Sequence, residues 1–137
     1  MKEHCESKQN RRFVGLKKVL VYGLLSCVVL GLIGFVSVCF SIRSGVKDMS
    51  AKATKEFPGD RVQALIAYVG SENHTLKDRN RAVWALGQIG DKSALPVLES
   101  FYTGAECDHD KHLCQRELSH AIYGCKGGLN LTAWLPR

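Results

Sequence analysis

Between Val19 and Ile42 the chain reads VLVYGLLSCVVLGLIGFVSVCFSI, 24 residues without a charge. No other feature narrows the fold as much. At 1.5 Å per residue such a helix spans roughly 36 Å, enough for the ~30 Å hydrocarbon core of a bilayer with some tilt. A helix of this length buried in a soluble core would carry more polar positions than Ser26, Ser37 and Ser41. The run predicts one transmembrane helix at 19–42, and no later run is long enough for a second.

A cleavable leader has a shorter apolar core and a small-residue exit, whereas Val38-Cys39-Phe40-Ser41 is bulky. Leu24-Leu25-Ser26-Cys27 has the form of a lipobox behind Lys17-Lys18. Cleavage there would leave VVLGLIGFVSVCF, which still seeks a bilayer, so the expectation is an uncleaved anchor. Gly23, Cys27 and Gly31 share a helix face, which would permit close helix pairing, although the plainer reading is that glycines are common in membrane helices.

Charge sets the orientation. Residues 1–18 hold six basic and two acidic side chains, net +4, and residues 43–137 hold 13 basic and 11 acidic, net +2. A nucleic-acid domain would need its basic excess on the folded part, so nucleic acid is not an expected partner. Arg11, Arg12, Lys17 and Lys18 precede the run closely, while Arg43 and Lys47 follow it. The positive-inside rule then puts the tail 1–18 in the cytoplasm and the C-terminal domain outside it, in the periplasm if the source is bacterial. With 45% hydrophobic residues the remainder is expected to fold.

Residues 43–59 are expected to be a juxtamembrane linker or stalk, with Val46, Met49, Ala53 and Phe57 at helical spacing and Pro58-Gly59 as a stop. Asp60 is the N-cap candidate that opens a folded domain at 60–137. Four further stretches carry one apolar face each: Val62, Leu65, Ile66 and Val69; Ala82, Ala85, Leu86 and Ile89; Leu95, Leu98, Phe101 and Tyr102; Leu118, Ala121, Ile122 and Cys125. Asp78 is the expected cap of the second and Gly87 or Gly90 its end. Pro96 fits only the first turn of the third. No stretch alternates, so the fold class is all-α.

The stretches repeat. Residues 64–69 align with 97–102 at a shift of 33, and Ala85-Leu86 aligns with Ala121-Ile122 at a shift of 36. A two-helix period near 35 marks an α-solenoid. Residues 78–91, DRNRAVWALGQIGD, followed by Ala94-Leu95-Pro96-Val97-Leu98, resemble the HEAT-like repeat also found in phycobiliprotein lyases. The resemblance covers about 30 residues and fades elsewhere in 60–125, where Tyr123 stands at the place of Gly87. It implies about two helix pairs packed through Ala82, Ala85, Leu86 and Ile89. These residues pack and carry no chemistry, so the resemblance implies a fold and not lyase activity. A short solenoid needs its end covered; Leu129, Leu131, Trp134 and Leu135, or a second copy, are the expected cover.

Between the last two helices lies Glu106-Cys107-Asp108-His109-Asp110-Lys111-His112-Leu113-Cys114. Outside the cytoplasm a Cys107–Cys114 disulfide is expected to tether this loop. The alternative is a metal site from Cys107, His109, His112 and Cys114, whose residue types suit zinc but whose spacing does not match the usual ligand pairs. Asp108 and Asp110 begin like a calcium loop that lacks its later ligands. Cys125 reads as a buried thiol and His120 as a surface side chain. Asn73-His74-Thr75 and Asn130-Leu131-Thr132 match the glycosylation pattern, which matters only in a eukaryotic secretory pathway.

No serine elbow, phosphate loop or carboxylate pair appears, so no enzyme and no cofactor is expected. The leading functional expectation is a membrane-anchored scaffold that binds another protein through Arg79, Trp84, Gln88, Gln115 and Ser119 on the second helices of the pairs. A metal- or thiol-dependent module at residues 107–114 is the alternative. A cofactor-attachment enzyme rests on analogy with the lyases alone.

Overall fold

A computed structural model of the chain describes residues 2–108 and 110–128, with side chains from Leu20 onward. The described residues form five α-helices and no strand. The helices are α1 (Lys2–Glu56), α2 (Arg61–Gly70), α3 (Leu76–Ile89), α4 (Leu95–Phe101) and α5 (Gln115–Cys125), with a 3₁₀ turn at Lys92–Ala94. The chain divides into two units, Met1–Phe40 and Ser41–Arg137.

The first unit is α1 up to Phe40, and it contains the apolar run. From Leu20 to Phe40 every large apolar side chain is exposed. The helix is long and apolar enough to cross a membrane.

The second unit begins earlier than its sequence suggests. Residues 43–59 were expected as a linker, but Met49 and Ala53 lie in the core with 3% and 0% exposure, and Val46 and Phe57 pack against it. The spacing read as a stalk is a buried stripe, because α2 and α3 have apolar side chains that need a cover. Gly45 lies under the Trp84 indole, where a Cβ would come within 3.1 Å of the ring. Further along, His74 stacks on Tyr68 with ring centroids 3.8 Å apart, and its Nε2 is 2.8 Å from Glu56 Oε2.

Local sequence explains the helix ends. Asp60 Oδ1 accepts the N–H groups of Val62 and Gln63, each at 2.8 Å, and Gln63 returns a bond to the Asp60 N–H. The cap of α3 is Thr75, three residues before the expected Asp78. Thr75 Oγ1 accepts the Asp78 N–H at 3.2 Å and donates to the Asp78 carboxylate. Burial pushes that carboxyl up, but Lys52, 3.3 Å away, and the Thr75 hydroxyl hold it below its ordinary value. Gly90 ends α3 in the left-handed region at φ 70°. Asp91 then accepts the Ser93 N–H at 2.9 Å, and Pro96 occupies the first turn of α4.

The helices pack as α2 on α3 and α4 on α5, with α3 also on α5. Leu65, Tyr68, Val69, Leu86, Leu98 and Leu118 are fully buried between them. All four residues of the α5 stripe are buried, whereas Tyr102, placed on the α4 stripe by spacing, is 44% exposed because α4 ends at Phe101. The expected end cover at 129–135 lies outside the described residues.

Candidate functional site

The site is built around the start of α5. The described residues among 102–114 carry no helix, and their backbone groups need partners. Gln115, 5% exposed, supplies several. Its Oε1 accepts from the N–H of Thr103 at 2.8 Å and of Gly104 at 3.3 Å, and its amide donates to Phe101 O and Leu113 O at 3.2 and 3.1 Å. Asn80 Oδ1, on α3, accepts the Cys114 N–H at 2.9 Å. The loop is thereby fastened to both α3 and α5.

Cys107 and Cys114 meet in this frame. Cys114 is the N-cap residue of α5 and 2% exposed, while Cys107 is exposed. Their sulfurs stand 3.2 Å apart, beyond bonding distance, so the structure does not support the expected disulfide. A bond would need about 2.05 Å. Cys107 Sγ is turned instead toward the first turn of α5, where it accepts the Arg116 N–H at 3.4 Å. That N–H first, then the Cys114 thiol, hold the Cys107 thiol below its ordinary value against desolvation, with smaller help from the Gln115 N–H and the Arg116 charge. Asp108 is held low by Lys111, 3.0 Å away, and by the Asp110 N–H.

Among the described residues no group of three or more His, Cys, Asp or Glu could hold a metal ion. Cys107 and Cys114 are together, His112 Nδ1 lies 3.3 Å from Leu113 O, and His109 is outside the described residues.

The five residues expected to bind a partner are not one surface. Arg79 Nε donates to Val69 O at 2.8 Å, satisfying a carbonyl in the last turn of α2, and its guanidinium lies 5.6 Å from the Phe101 ring centre. Trp84 covers Gly45 and Gln115 is the loop clamp. Gln88 is half-buried and Ser119 exposed. Asn80 was missed; its signal is a poor helix former inside an otherwise favourable helix.

The packing of α3 decides what kind of repeat this is. A Cβ on Gly87 would come within 2.7 Å of Ala121 Cα, and one on Gly124 within 2.6 Å of the Gly87 carbonyl oxygen. The helices touch backbone to backbone, followed by the Gly90 exit, the Asp91 cap and α4. Residues 78–103 match the model of the PBS lyase HEAT-like repeat. The HEAT-like repeat thus spans most of α3, the 3₁₀ turn and α4, with α2 and α5 outside the matched stretch. No curated protein and no solved structure matches the chain. Gly124 does for α5 what Gly87 does for α3, one place beyond Tyr123, where the 36-residue shift looks for it.

Proposed function

We propose that this is a single-pass membrane protein whose HEAT-like helical unit docks another protein. The carrying observation is an exposed apolar run, Leu20–Phe40, in a chain that also contains a HEAT-like repeat. Exposed Leu, Val, Ile and Phe at this density favour lipid over water. HEAT-like repeats are in general interaction modules, which supports a binding role over catalysis. The basic residues at 11–18 support an N-terminus in the cytoplasm and a helical unit on the other side.

With Arg79, Trp84 and Gln115 engaged internally, the docking surface offered is the outer stripe of α5. Arg116, Ser119, His120 and Tyr123 follow one another at helical spacing and are all exposed. Tyr123, 61% exposed, is the anchor.

Two measurements test the reading. The full chain should stay with membranes through alkaline carbonate, and a reporter fused after Arg137 should be active only outside the cytoplasm; release by carbonate would end the anchor reading. A photo-crosslinking residue at 123 should trap a defined protein that the same residue at 92 does not. Equal capture at both positions would end the docking reading.

A further inference from the structure

Independently of any docked protein, we propose that Cys107 and Cys114 form a dithiol that exchanges with a disulfide bond brought by a substrate. Three observations converge. The two sulfurs are 3.2 Å apart, so an approach of about 1 Å joins them. They differ in access: Cys107 is exposed and Cys114 is 2% exposed, so an incoming disulfide meets Cys107 alone. And Cys107 Sγ faces the first turn of α5, whose N-cap residue makes no side-chain cap bond, and it accepts the Arg116 N–H, a contact that favours the thiolate over the thiol. The frame is set by part-buried hydrogen bonds that Gln115 and Asn80 accept from the loop backbone rather than by the cysteines themselves.

The chemistry follows from the asymmetry. The Cys107 thiolate attacks one sulfur of a disulfide R–S–S–R′. The S–S bond breaks, R′S⁻ leaves and takes a proton, and Cys107 is joined to R. Cys114 then loses its proton and attacks Cys107 Sγ. RS⁻ leaves and is protonated, and a Cys107–Cys114 disulfide remains. Two thiols of the protein are oxidised, and the substrate disulfide takes up two electrons and two protons. Cys107 is the attacking group and Cys114 the resolving one.

The test uses the reduced full chain in detergent, reacted with glutathione disulfide and read by peptide mass mapping. The native protein should accumulate a Cys107–Cys114 disulfide. Cys114→Ser should stop with glutathione on Cys107. In Cys107→Ser, a change at an exposed position that keeps the fold, Cys114 should stay reduced. Cys107 should react roughly fivefold faster in the native protein than in the chain unfolded in guanidinium. A second arm offers a disulfide-bonded peptide; the faster of the two assigns a peptide or a small thiol as the substrate. The proposal is overturned if glutathione remains on Cys107 of the native protein, if Cys114 reacts as fast without Cys107, or if folding leaves the Cys107 rate unchanged. None of these outcomes depends on a partner at Tyr123.

Discussion

Asn80 and Cys125 show how single side chains set the second unit. Asn80 spends its carbonyl on the Cys114 N–H, which nothing else among the described bonds satisfies. Asn80→Ala should therefore lower stability by about 1–3 kcal/mol in urea unfolding, while Asn80→Asp keeps most of it. Cys125 is fully buried, and burial first, then the Asp91 charge, pushes its thiol from 9.0 up to about 11. Below the unfolded value both states hold the proton. Between pH 9 and about 11 the unfolded chain loses it and the fold does not, so stability falls as pH rises through that window. Urea midpoints across the window should show the fall, and Cys125→Ala should flatten it. Cys125 was legible as a buried thiol from its place on the α5 stripe. Arg79 and Gln115 were not: polar side chains off an apolar stripe read as surface, and the loop groups that engage them cannot be seen along the chain.

At the scale of elements, the contact of α3 with α5 is the most demanding. Its atoms leave no room for a methyl at Gly87, and the obstacle is Ala121 backbone rather than a movable side chain. Gly87→Ala should cost about 1–3 kcal/mol, where the same change in an exposed helix would gain. A thermal melt of the variant reads this directly. The apolar faces of α2, α3 and α5 were legible because four regularly spaced residues leave little choice of secondary structure. The end of α1 was legible as a helix but not as core. A stripe shows which residues face together, not what they face. Beside a membrane run, a free stalk and a core helix look alike.

The whole second unit is consequently larger than a domain that begins at Asp60. Met49 and Ala53 are buried with α2 and α3, and Glu56 pairs with His74. A fragment starting at Ser41 should unfold cooperatively, and one starting at Asp60 should lose about 3 kcal/mol or more. Equal melting of the two fragments would show that the end of α1 adds nothing. The candidate dithiol was half legible at this scale. Spacing brings Cys107 and Cys114 together, but the direction of Cys107 toward the Arg116 N–H depends on how the loop folds back on the start of α5, which spacing does not show.

The Gln115 clamp also shapes how the backbone exchanges its hydrogens with solvent. Thr103 and Gly104 lie on the surface, yet both amides donate to an oxygen that is itself buried. That oxygen is released only when the start of α5 opens. In deuterated buffer the two amides should label slowly, together with those of α5, while the neighbouring Glu106 amide labels at once. The loop should thus contain a short protected stretch, and Gln115→Ala should erase it.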